Sequence, residues 1–199
     1  MNFLCHLYLS ANDPELQVGN LMGDFVKGPL AGRFPAGIEQ GLLLHRWIDS
    51  AANRDRSFLE SRHRLDPYYG LYRGVLVDLF YDHFLAAEWQ AYHPLPFETF
   101  LEQTYSSARE HDAVMPDRFR DLLPVIFTEL IPSYREVAGI DRALQRMAAR
   151  RTRPSPLGSG VQELVRHYGE LQGEFRSFLP RMAGQVAGLL TDDRGGIHR

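Results

Sequence analysis

A single cysteine, Cys5, stands in 199 residues, so an internal disulfide and a thiolate metal cluster are both excluded, and a reducing compartment fits. Strand signals are also scarce, because alternating apolar and polar runs flanked by hairpin turns are missing. Neither sign of charge dominates. A formal net charge of −3 gives no overall basic field, so composition offers no reason to expect nucleic-acid binding. The apolar opening MNFLCHLYLS is too short for a membrane span, lacks a positively charged start and runs into Asn12-Asp13-Pro14 instead of a cleavage site. A cytoplasmic protein without membrane contact is expected.

What is present describes an ordinary globular chain: 44% hydrophobic, 12% aromatic and 24% charged residues. At this length one domain is the default, and such a domain buries roughly 70% of its unfolded surface. Apolar residues recur at three and four through most of the chain, which predicts an all-α bundle of seven or eight helices over 1–190 and a frayed tail at 191–199. Asp13-Pro14-Glu15 opens a short helix with a cap, a first-turn proline and a first-turn acid. The next helix begins near Pro35 and carries His45 and Asp49. A long helix over 70–92 carries Asp78 and Asp82, and Pro94 and Pro96 end it. Later segments are expected at 116–131, at 133–151 beyond an interruption at Pro132, at 161–178, and again from Pro180.

Residues four apart on a helix share a face, with Cβ atoms roughly 5–6 Å apart, so His45 and Asp49 can address one ion, and Asp78 and Asp82 repeat the spacing. Spacing alone is weak, since such pairs arise by chance. Context adds to it: Asp78 lies within Val75-Leu76-Val77 and Leu79-Phe80-Tyr81, and Asp24 between Leu21-Met22-Gly23 and Phe25-Val26. A carboxylate in such surroundings requires a cation, a salt bridge or hydrogen bonds. Arginine partners and helix caps would satisfy them singly, whereas one metal centre accounts for His45, Asp49, Asp78, Asp82 and Asp24 together. Imidazole with several carboxylates suits Mn2+, Fe2+ or Mg2+ better than structural zinc.

Other residues leave two readings open. His6 sits in an apolar run, as a packed core histidine or a ligand, and His83 projects about 100° from Asp82 as ligand, general acid or packed ring. Arg46, beside His45, is a candidate phosphate contact. Glu110-His111-Asp112 contains a literal His-Asp pair but reads as solvated surface at a polar helix end. Arg142, Arg146, Arg150, Arg151 and Arg153 form an acid-free stretch to which an acidic partner could dock.

The blocks MNFLCHLYLS, GNLMGDFVKG, GLLLHRWIDS, VDLFYDHFLAAEW and SYREVAGIDRALQRMAARR, in this order from Met1 to about Met182, resemble the acyl carrier protein phosphodiesterase family. The resemblance implies a helical enzyme related to the His-Asp metal phosphohydrolases, dependent on a divalent metal, Mn2+ first. Its substrate would be holo acyl carrier protein, from which it would hydrolyse 4′-phosphopantetheine. Motif positions fall on His6, Asp24, His45, Asp49, Asp78, Asp82 and His83, and Asp82 or His83 is expected to orient water or protonate the leaving serine oxygen. Asn53 stands where relatives carry a carboxylate. The rival readings are a phosphohydrolase of nucleotides or alarmones on the same scaffold, and a non-enzymatic helical metal binder.

Overall fold

In the computed structural model, which describes residues 3–192, every regular element among those residues is helical. The α-helices are α1 (Phe3–Tyr8), α2 (Pro14–Leu21), α3 (Ala36–Ala52), α4 (Arg56–Arg64), α5 (Tyr72–Ala87), α6 (Phe97–Glu110), α7 (Asp117–Val125), α8 (Ile131–Ser133), α9 (Val137–Ala149), α10 (Val161–Arg166) and α11 (Tyr168–Asp192). Those of eight residues or more match the expected number, and α1, α8 and α10 are short additions. Thr191 and Asp192 close α11, while the rest of the expected tail lies outside the described residues.

Local chemistry sets the helix starts. Asp13 Oδ1 accepts the Leu16 amide at 3.0 Å with Pro14 in the first turn, and Asp55 Oδ1 accepts the Ser57 and Phe58 amides at 2.8 and 3.3 Å. Arg181 of α11 clasps the same Asp55 carboxylate at 3.0 Å, so one side chain caps α4 and ties α11 to it.

Two proline expectations are corrected. Pro180 does not begin a helix, because α11 runs through it and the break falls earlier, at His167. A proline removes one helical hydrogen bond and crowds the preceding turn. Here the unbroken buried face of Phe175, Phe178, Leu179, Met182 and Val186 outweighs that loss. Pro132 does not interrupt either: a π-helical stretch, Ile126–Leu130, leads into α8, where Pro132 occupies the first turn. The expected six-turn helix stops at Ala87, and a 3-10 turn at Trp89–Ala91 follows.

One contiguous core holds the helices together. α5 is apolar nearly all round and buried from Leu76 to Ala86 except at Asp78, as befits a central helix. α1 packs on α2 and α5, α9 and α11 also contact α5, and α11 reaches across α3 and α4. α2 and α3 approach closely where Gly19 faces Gly41, since a Cβ on either would overlap the other helix's backbone. That contact brings the end of α2 against His45. Among the described residues no helix is long and apolar enough to cross a membrane.

Candidate metal centre

Two helices far apart in sequence converge at one point. α1 supplies His6, α3 supplies His45 and Asp49, and their ligand atoms all lie within 4.8 Å of one another. His6 and His45 are buried and stack with ring centroids 4.2 Å apart. Asp49 Oδ2 lies 3.2 Å from His45 Nε2, and Asp49 Oδ1 3.4 Å from His6 Nε2. Asp24, exposed on the 3-10 turn Gly23–Phe25, stands at the edge with its Oδ1 3.8 Å from His45 Nε2.

Asn20 fixes both imidazoles. His6 Nδ1 donates to Asn20 Oδ1 at 2.6 Å, and His45 Nδ1 donates to the Asn20 backbone carbonyl at 2.8 Å. The Asn20 amide is held in turn, its Nδ2 donating to the His6 carbonyl at 2.8 Å and to Ser10 Oγ at 2.9 Å. With each Nδ1 proton given to Asn20, Nε2 is the ring atom that faces Asp49 in both, the orientation usual for metal-ligating histidines. His6 Nε2 is buried and has no hydrogen-bond partner among the described residues, an expensive state that a cation would relieve. Gly23 makes room, since a Cβ there would overlap the His45 ring.

The electrostatics separate the two histidines. Burial lowers the His6 pKa to about 4 against the pull of Asp49, so that ring is neutral. Burial acts on His45 as well, but the Asp24 and Asp49 carboxylates outweigh it and raise its pKa to about 9. Burial opposes ionisation of Asp49, yet its two imidazole partners hold its pKa well below the usual carboxylate range. The Asp24 pKa is lowered chiefly by His45. Asp78 of α5 is half-buried; burial raises its pKa, and the nearby charges of Asp49 and Asp24 add to the rise. Two histidines and an oxygen-rich set of carboxylates fit a hard or borderline divalent cation such as Mn2+, Fe2+ or Mg2+.

Asp82 and His83, expected as catalytic residues, lie outside the group formed by His6, His45 and Asp49. Asp82 is fully buried, and its two oxygens accept the Leu4 and Cys5 amides at 2.8 and 2.9 Å. Those amides belong to the first turn of α1, where helix donors have no intrahelical partner. Burial still raises the Asp82 pKa to about 6 against these bonds. His83 turns to another face of α5, with Nδ1 bonded to the Tyr134 carbonyl at 2.7 Å and Nε2 to the Tyr168 hydroxyl at 3.0 Å. Arg46 is exposed and donates to the Gly28 carbonyl at 2.7 Å. Asn53 Nδ2 donates to the Asp49 backbone carbonyl at 2.8 Å, closing α3 one turn beyond Asp49. Asp112 is exposed and His111 bonds the Ser107 carbonyl at 2.9 Å, in keeping with the surface reading.

Sequence reasoning missed Asn20. Its signal was a lone amide in the apolar block GNLMGDFVKG, one helical turn before Asp24.

An all-helical fold with a buried histidine pair beside a carboxylate has the donor set of a candidate metal centre. The model of the acyl carrier protein phosphodiesterase family matches residues 1–182, and the chain belongs to that family. It is 35% identical to the acyl carrier protein phosphodiesterase of Klebsiella pneumoniae subsp. pneumoniae, covering 92% of this chain and 95% of that protein. Identity is 31% to the one from Serratia proteamaculans, over 94% and 97%. With the Yersinia pestis protein of the same name it is 32%, over 94% and 97%. No solved structure matches the chain.

Proposed function

We propose that the protein is a phosphodiesterase that hydrolyses the bond between 4′-phosphopantetheine and the serine of holo acyl carrier protein, releasing the apo protein. One observation carries the reading: His6 and His45 present their Nε2 atoms to Asp49 inside 4.8 Å, in a chain of this family. Their Nδ1 protons are committed to Asn20, so neither ring must reorient to bind a cation. His6, His45 and Asp49 would hold the ion, most suitably Mn2+, with Asp24 and Asp78 completing an oxygen-rich surround. When bound, the ion supplies Lewis acidity, which offsets charge on phosphoryl oxygens and makes water ionisable near neutral pH.

The chain's own residues do the rest. Asn20 holds the imidazole planes, Asp24 stands at the exposed edge of the cluster, and the burial of His6 and His45 strengthens the charge interactions there. Arg46, adjacent to His45, is assigned a phosphate contact for which it must leave Gly28. The acidic carrier protein would meet the exposed arginines of α9 and the residues after it, including Arg142, Arg151 and Arg153. Mass spectrometry of holo carrier protein incubated with enzyme and Mn2+ tests the reading. Loss of the phosphopantetheine mass is expected, and an unchanged mass rejects it.

A further inference from the structure

Beside the metal centre opens a cavity of about 660 Å³, and Asp24 forms part of its wall. Its volume falls in the range of small-molecule sites, roughly 300–1,000 Å³, and a concave space of this kind encloses a flexible ligand better than a flat protein face. Two chemistries line it. Phe25, Leu122, Leu130 and Met147 give it apolar walls, with Phe25 held by Phe119 at a ring distance of 5.0 Å. Arg118 of α7 and Arg146 and Arg150 of α9 bring guanidinium donors from two helices, and Asp121 adds an acceptor. Glu129 steadies Arg146 at 3.3 Å.

We propose that this cavity receives the pantetheine arm of the substrate, an inference that rests on the hydrolysis reading above. The arm is an uncharged chain with a gem-dimethyl carbon, methylenes, a hydroxyl and two amides. Its apolar carbons fit the walls, its carbonyls accept from arginines, and its hydroxyl or amide hydrogen donates to Asp121. Asp24 is the joint between the two sites: it contacts His45 on one side and the cavity on the other, so a diester at the cluster has its arm at the cavity entrance. Part of the basic stretch thereby divides by role. Arg146 and Arg150 face the arm, while Arg151, placed over the Tyr72 ring at 5.5 Å, stays outside the cavity.

The test compares holo carrier protein with bis(p-nitrophenyl) phosphate, a diester with no arm, in wild type, Met147→Trp and Arg118→Glu, each loaded with Mn2+. Free 4′-phosphopantetheine serves as the competitor. Filling the cavity with Met147→Trp is expected to lower kcat/KM for holo carrier protein, relative to that for the armless diester, by about tenfold or more, and to raise the competitor's inhibition constant in step. Arg118→Glu moves both in the same direction. Leu122→Trp, on α7, replaces Met147→Trp if circular dichroism finds that variant unfolded. An unchanged ratio and inhibition constant in the folded variants overturn the cavity assignment and leave the hydrolysis reading intact. A wild type that releases no 4′-phosphopantetheine from holo carrier protein overturns both.

Discussion

Asn20 reaches both histidines with different atoms, a side-chain oxygen for His6 and a backbone oxygen for His45. Only the first depends on its side chain. Asn20→Leu is therefore expected to weaken Mn2+ binding by about 10–100-fold, the usual cost of losing a partner behind a metal ligand, as read by competition with a chelator. Asp82 gives the opposite pattern, because its oxygens hold the start of α1 and do not face the cluster. Asp82→Asn weakens two charge-assisted bonds worth about 1.5–3 kcal/mol each. Its thermal midpoint should fall by several degrees, while turnover of the folded fraction stays within about tenfold of wild type. A catalytic Asp82 would give lost turnover at an unchanged midpoint. Gly23→Ala would push a methyl into the His45 ring, and a Mn2+ titration by calorimetry should find the site lost or much weakened.

Among the elements, α1 and α5 form one working unit. α5 carries Asp78, which feels the charges of Asp49 and Asp24, and, one turn later, offers Asp82 to the first amides of α1, which carries His6. The Asp78-x-x-x-Asp82 spacing was legible in the sequence, but the division of labour between its two acids was not. That division depends on where α1 begins, and α1 was read only as an apolar opening. α9 presents a different case, since its arginines were legible as a charge stretch whose two sides only packing reveals. Arg142→Glu with Arg153→Glu is expected to raise KM for carrier protein at low ionic strength and to flatten its salt dependence, because rim charges act through screened, long-range attraction. Equal KM values at low salt would remove the outer arginines from docking.

For the whole molecule, the proposed cation would compete with protons for one site. His45 has a folded-state pKa of about 9, above its ordinary value, so in metal-free protein it adds stability that is full below 6.5 and lost as pH rises through 9. His6 has a folded pKa of about 4, below its ordinary value, so stability rises with pH from 4 to 6.5 as the unfolded chain sheds that proton. These two groups together give metal-free protein a thermal midpoint that is highest near pH 6.5, and His45→Gln should flatten the alkaline side. Mn2+ at about 100 times its Kd adds about 2.7 kcal/mol, raising the midpoint by roughly 5–10 °C. A chelator should reverse that rise.

The sequence by itself determined the helical class, the main helix positions and the membership of His45 and Asp49 in one site, because all of these follow from spacing along a single helix. It also carried His6, Asp24 and Asp78 as candidates, through apolar context and through the ordered blocks shared with the family. Only the tertiary structure decided that Asp82 serves α1, that His83 bonds Tyr134 and Tyr168, and that Asn20 governs both imidazoles. It likewise decided that α11 passes through Pro180, where packing outweighed a local preference. The reason is the same throughout: a polar group's role is set by what lies opposite it, and across the gap of 14 residues from Asn20 to His6, or 77 from Cys5 to Asp82, only the folded chain brings the partner into place.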